Sequence, residues 1–257
     1  MKGNRVDIVH VLGSGSAKPT ANRINSSYLI ETACLSLIDC SGSPSHEILR
    51  RGLDITVLRH VYLTHGHADH IYGLPSLIHS LWMLGLFREE PLAIYGSPKT
   101  LEVGRALLAP FGLEERKNAV RIQWNPVNAW SATDLNSQYG PPVTSFPVTH
   151  GNDEAVGYRL ADTIFTGDAV CDDLLASAVD ETARSIIIDC GGGLSSTPGH
   201  AGADDIADFL RRRPHLVSAH LTHVGFSSDE EELVLEKFLD CLASVRLLSD
   251  GDQFELS

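Results

Sequence analysis

Residues 65–70 read His-Gly-His-Ala-Asp-His, four potential metal ligands packed directly behind the apolar run Val61-Tyr62-Leu63. Imidazole and carboxylate are the groups that suit zinc and its first-row neighbours. On an extended segment alternate side chains share a face, so His65, His67 and Asp69 can point one way, and His70 leaves on another vector unless the chain turns there. A cluster that diverges in this manner can serve two ions a few ångströms apart, the arrangement that clamps both ends of a displacement at phosphorus.

Four groups are too few for two ions. Three further positions have the right chemistry, each His or Asp where a strand runs into glycine. His150 ends the stretch 143–149 and precedes Gly151; Asp168 closes Phe165-Thr166-Gly167-Asp168; His223 follows 217–222, just ahead of Gly225. Asp39, at the end of another strand, is placed to orient a ligand imidazole from behind. His200, in Pro198-Gly199-His200-Ala201-Gly202 ahead of a helix, is a further candidate near the same edge. His220 reads as packing at the end of its strand. His10, His46, His60, His79 and His215 read as surface or supporting residues rather than ligands.

The elements that must carry these groups are legible from pattern. Apolar runs bounded by Gly, Ser and Pro predict strands over 8–12, 27–30, 35–40, 60–63, 120–124 and 143–149. Helical spacing covers 73–87 and 98–111, with Pro98 suited to a first helical turn. Segments 158–160 and 163–166 flank Ala161-Asp162 as a tight hairpin. The remainder alternates: helix 172–178, strand 185–189, helix 203–212, strand 216–221, helix 228–242, the last opened by a capping box of Ser228 and Glu231. Strands first and then mixed strand and helix in both halves predict an α/β protein with layered sheets. Residues 125–142 have no periodicity, and a connection of that length is often functional; Trp130 and Tyr139 would be available there to stack on a base.

These residues resemble the metallo-β-lactamase superfamily and, within it, the ribonuclease Z-like phosphodiesterases. The resemblance rests on the 65–70 motif and on flanking patches: Leu12-Gly13-Ser14-Gly15-Ser16-Ala17 with Pro19-Thr20, Arg23 with Asn25-Ser26-Ser27, Leu37-Ile38-Asp39-Cys40 with Gly42, Gly73-Leu74-Pro75, and Ile94-Tyr95-Gly96. It implies a four-layered αβ/βα sandwich of two mixed sheets, with the ligand loops gathered at one edge. It also implies two divalent metal ions, zinc or manganese. His65, His67 and His150 would hold one, Asp69, His70 and His223 the other, and Asp168 would bridge. In that branch a histidine placed like His200 stabilises the transition state and protonates the leaving oxygen. Here Ala201 and Gly202 replace the usual hydroxyl residues, and Asp189-Cys190-Gly191-Gly192-Gly193 replaces the usual His-Glu-Ala-Thr. The tRNA-processing members carry a long arm between the ligands matching His150 and Asp168; here residues 151–167 leave no room for one. Homodimers are typical of the branch. The helix 73–87, apolar nearly all round through Ile78, Leu81, Trp82, Leu84, Leu86 and Phe87, offers a reason, with Trp82 and Met83 as anchors.

Composition narrows the partners. A chain of 257 residues can bury a sizeable core and is expected to be one domain over 1–257. A net charge of −13 is the wrong sign for gripping a long polyanion, where basic patches supply much of the affinity. The basic run Arg211-Arg212-Arg213 closes a predicted helix, where cations pair with the helix C-terminus. No apolar run approaches a membrane span, the first residues lack a signal-peptide apolar region, and five cysteines are scattered with no C-x-x-C pair. A cytoplasmic protein with buried thiols, and no membrane partner, is expected.

The expected function is a dinuclear-metal phosphodiesterase acting on a small substrate, a cyclic nucleotide first among them. Asp69 would take a proton from the attacking water as well as bind metal, and His200 would give one to the departing oxygen. Three alternatives stay open: a ribonuclease Z-type tRNA 3′-end endonuclease, a lactone or thioester hydrolase, and a metal-stabilised binding protein.

Overall fold

The computed structural model describes residues 6–18, 20–87, 89–128 and 141–256. Among them thirteen strands form two mixed sheets. The first sheet has the order β13-β1-β2-β3-β4-β5-β6, built from β1 (Ile8–Gly13), β2 (Ser27–Glu31), β3 (Leu35–Ile38), β4 (Leu58–Tyr62), β5 (Leu92–Gly96), β6 (Ile122–Pro126) and β13 (Gln253–Glu255). The second runs β12-β11-β10-β9-β8-β7, from β7 (Val143–His150), β8 (Asp153–Leu160), β9 (Thr163–Phe165), β10 (Ser185–Asp189), β11 (Ser218–Thr222) and β12 (Ser244–Leu247).

Alternation along the strands sorts side chains into three apolar layers. In β10, Ile187 faces the other sheet, while Ile186 and Ile188 face helices. The inter-sheet layer also holds Val9, Tyr28, Ile38, Tyr62, Tyr158 and Phe165. Outside the first sheet lie α1 (Pro44–Arg50), α3 (Leu74–Met83) and α4 (Pro98–Leu108), burying Ile48, Leu77, Leu81 and Leu108 against Leu37, Val61 and Ile94. Outside the second lie α5 (Asp173–Ala178), α6 (Ala203–Arg211) and α7 (Ser228–Glu236), through Leu175, Ile206, Leu210 and Val234. The four-layered sandwich expected from the sequence is the fold. No described helix is long and apolar enough to cross a membrane.

Several boundaries differ for local reasons. The helix expected over 73–87 stops at Met83 because Gly85 turns left-handed (φ 72) and Leu86 N–H closes onto Leu81 C=O at 3.0 Å, a Schellman ending. The strand expected to reach Cys40 ends at Ile38, since Asp39 has φ 57. The last helix stops at Glu236, and its cap is Ser227, whose side chain accepts from Glu230 N–H, one residue ahead of the expected box. His10 and His60 are buried and lie away from the surface: His10 Nε2 meets Glu31 at 3.0 Å, and His60 Nδ1 meets Ser36 Oγ at 3.1 Å. Trp82 is already engaged by its own chain, its indole N–H donating to Lys117 C=O and Arg116 lying over its ring, whereas Met83 and Leu84 are exposed. Trp130 and Tyr139 fall outside the described residues.

Candidate metal centre

The parallel pairing of β3 with β4, and of β9, β10 and β11 with one another, brings their C-terminal ends to one edge of the sandwich. There the strands run out into Asp39, the 64–70 segment, Asp168, Asp189 and His223, and β7, antiparallel to β8, adds His150 at its end. The short helix α2 (Ala68–Ile71) provides the turn that swings His70 away from His65 and His67. All seven residues expected as ligands meet here, together with His200.

Asp168 sits at the centre and is buried. His65 Nε2 stands 3.7 Å and His150 Nε2 3.8 Å from its Oδ2, and His67 Nδ1 lies 3.1 Å from His150 Nε2. On the other side His70 Nε2 is 3.2 Å from Asp168 Oδ1 and 3.5 Å from Asp69 Oδ2; His223 Nε2 is 3.3 Å from Asp168 Oδ2 and 3.4 Å from Asp69 Oδ2. Donors ~2.1 Å from a shared tetrahedral ion stand roughly 3.4 Å apart, so these separations fit one divalent cation on each side of Asp168.

Hydrogen bonds from behind set which ring nitrogens face inward. His70 Nδ1 is 2.7 Å from Asp39 Oδ2, and His150 Nδ1–H donates to Gly199 C=O at 2.7 Å. Thr64 gives its hydroxyl and backbone protons to Asp39, leaving the hydroxyl oxygen to accept from His65 Nδ1–H at 3.0 Å. His67 Nε2 is 3.0 Å from Asp153 Oδ2. Each imidazole therefore turns its other ring nitrogen to the centre, the outer support usual for metal-binding histidines. Nε2 of His65 and Nε2 of His70 are buried without a hydrogen-bond partner among the described residues, as befits atoms awaiting a cation. Asp39 and His223 both hold left-handed backbone (φ 57 and 61), unusual outside glycine and common where a site fixes its side chains.

The electrostatics follow from this packing. Burial alone would disfavour a charge on His70, but Asp168 and Asp39 override it and hold its pKa well above the usual range. His223 is pushed up to about 10, again against burial, by Asp168, Asp189 and Asp69. His65 goes the other way, to about 2, through burial and then repulsion from a charged His70. Asp69 drops to about 2 because His223 and His70 outweigh its burial, and Asp168 lies well below the carboxylate range for the same kind of reason.

His200 is half-buried over the same centre, stacked on His223 at 5.0 Å and edge-on to His150 at 4.9 Å. Its Nδ1 is 2.9 Å from Asp189 Oδ2, and that hydrogen bond, against partial burial, raises its pKa. Asp189 is the residue that reading the sequence missed. It is fully buried, accepts from Ala169 N–H and Gly191 N–H, and lies 3.5 Å from His223 Nδ1. A signal was present: Asp189 ends β10 two residues ahead of Gly191, much as His150 ends β7 just ahead of Gly151. His220 is fixed within β11 by stacking on Phe254 and by Arg246 donating to its Nδ1, apart from the centre.

Gly191 makes the crowding possible. A Cβ there would stand 2.7 Å from His223 Nδ1, 3.0 Å from Asp189 Oδ1 and 3.1 Å from His200 Nδ1. Gly191→Ala is expected to push these rings apart and lose ~10²-fold in turnover, the scale of an ångström's misplacement, while leaving the circular dichroism unchanged.

An α/β sandwich that gathers six imidazoles and four carboxylates at one strand edge defines a class of metal-binding proteins, and comparison with known proteins places the chain within it. The profile of the Beta-lactamase superfamily domain matches residues 36–223, and the chain belongs to that family. Ribonuclease Z of Mycobacterium sp. (strain KMS) is 33% identical over 159 residues, 60% of this chain and 52% of that protein. The match thus spans about half the length of that relative. The metallo-beta-lactamase fold protein YhfI from Bacillus subtilis superposes with a TM-score of 0.75 at 18% identity, covering 98% of this chain and 100% of YhfI. A diphosphatase from the PhnP family gives 0.73 at 21% identity, covering 98% of each chain. At these identities the two structures establish the fold.

Proposed function

We propose that this chain is a dinuclear metal-dependent phosphodiesterase that opens a small phosphodiester, a cyclic nucleotide first among candidates. The observation that carries the proposal is Asp168, buried between two sets of inward-facing donors at tetrahedral spacing. His65, His67 and His150 would hold one ion and Asp69, His70 and His223 the other, with Asp168 shared. Zinc suits so imidazole-rich a set. Bound divalent cations lower the pKa of water toward about 7 and offset charge on phosphoryl oxygens.

The chain's own groups supply the rest. Asp69, partly open to solvent and ionised, is placed to take a proton from the attacking water. His200 is aligned by Asp189, which favours its protonated form, and offers Nε2–H to the departing sugar oxygen. Small substrates are favoured because His150 and Asp168 are joined by plain hairpins, β7 to β8 and β8 to β9, and because the chain carries a net charge of −13. The runner-up, an RNA endonuclease, draws on the similarity to ribonuclease Z. Lactone or thioester hydrolysis uses the same centre on carbon.

Turnover of bis(p-nitrophenyl) phosphate against a lactone and thioester panel separates phosphorus from carbon. A screen of 2′,3′- and 3′,5′-cyclic nucleotides against a tRNA precursor then separates the first two readings. Faster processing of the precursor than of any cyclic nucleotide would overturn the small-substrate reading. A homodimer is part of the same proposal, resting on exposed Met83 and Leu84, and a monomer in light scattering at micromolar concentration would remove it.

Metal loading should depend on pH with a definite sign. In the metal-free protein His223 keeps its proton up to about pH 10, and His70 is likewise raised. A cation must expel such protons, so affinity is expected to rise with pH across the neutral range, about tenfold per unit for each proton displaced. Calorimetry in buffers of different ionisation enthalpy reads the released protons directly.

A further inference from the structure

We propose that Asp189 and His200, with Asp168 and His223, form a second seat for one of the two cations, exclusive of the seat built on Asp69 and His70. The inference rests on the two-ion reading above and adds to it a position that the seven-residue set does not contain.

These four side chains can each place one donor atom within 4.8 Å of all the others, as Asp69, His70 and His223 do on their side. Asp189 Oδ2 and His200 Nδ1 are 2.9 Å apart, His223 Nε2 and Asp168 Oδ2 are 3.3 Å apart, and His200 Nδ1 is 3.9 Å from Asp168 Oδ2. Those separations bracket the roughly 3.4 Å between neighbouring ligands of a tetrahedral ion. Two carboxylates and two imidazoles make a donor set as suitable for zinc as the one beside it. Three of the four residues are buried, so their desolvation is already complete in the fold.

Exclusivity follows from shared atoms. His223 belongs to both groups, its Nε2 3.4 Å from Asp69 Oδ2 and its Nδ1 3.5 Å from Asp189 Oδ1, and a neutral imidazole has one ring lone pair, so it serves one side or the other and not both. Occupation of the Asp189 seat replaces the proton between His200 Nδ1 and Asp189 Oδ2. That removes the second ring proton, the one that makes His200 an imidazolium and hence an acid near neutral pH. The seat therefore corresponds to a metal-loaded form unable to protonate a poor leaving group.

Equilibrium dialysis against zinc followed by elemental analysis tests this without recourse to activity. Wild type is expected to hold two ions per chain. Asp69→Ala, which dismantles the first seat, is expected still to hold two, and Asp69→Ala/His200→Ala only one. Asp69→Asn, which keeps the shape of the side chain, should behave as Asp69→Ala alone and in combination, and covers the case in which alanine does not fold. With cobalt in place of zinc, the visible absorption of Asp69→Ala should lose intensity when His200 is also replaced. One ion in both Asp69 variants, or two in both doubles, overturns the second seat while leaving the two-ion centre intact. Fewer than two in wild type removes the two-ion reading itself.

Discussion

Asp168→Ala is expected to strip the protein of metal and abolish turnover. The carboxylate lies within 3.2–3.8 Å of imidazole donors on both sides, so its loss is expected to weaken both proposed ion positions at once. Replacing groups that merely support a ligand costs ~10–100-fold in metal affinity or activity, and a shared ligand should exceed that range. A second consequence is electrostatic. Asp168 is the leading influence that raises His70 and His223 against burial, and without it both imidazoles should titrate lower. Elemental analysis after loading, together with histidine titration followed by NMR in the metal-free protein, reads both effects. Retention of two ions with unchanged turnover would show that Asp168 does not bridge.

His200→Ala should do something different: keep both ions and lose ~10²–10⁴-fold in rate on a substrate with a poor leaving group. His200 contacts the centre from its open side, 3.9 Å from Asp168, with its own carboxylate partner in Asp189. The loss should shrink on bis(p-nitrophenyl) phosphate, since p-nitrophenolate departs without a proton. Equal losses on good and poor leaving groups would take the acid role away from His200.

Much of this centre could be read from the chain because its ligands sit where strands end, and strand ends are marked by apolar runs breaking at glycine. His65 to His70, His150, Asp168 and His223 all carry that mark, and the fold then brings them together across 154 residues between Asp69 and His223. What was less legible depends on tertiary contact. Asp189 carries the same mark, but its value lies in facing His200 and His223 across a glycine with no room for a Cβ. Asp153, at the first position of β8, and the Gly199 carbonyl, in a turn, fix His67 and His150 through contacts that no local spacing marks. The burial of His10 and His60 depends on neighbours from other strands, Glu31 and Ser36, that no local spacing reveals. Helix ends shifted for the opposite reason: a single left-handed glycine, Gly85, outweighs an apolar pattern that runs past it.

The proposed hydrolysis at phosphorus is expected to need two divalent ions at this centre. Metal-free protein, prepared by chelation and dialysis, can be titrated with zinc or manganese while hydrolysis of bis(p-nitrophenyl) phosphate is followed. The expected result is no turnover at the start and a rise that levels off at two equivalents per chain. Undiminished turnover in the chelated protein, or none after two equivalents have bound, would contradict it.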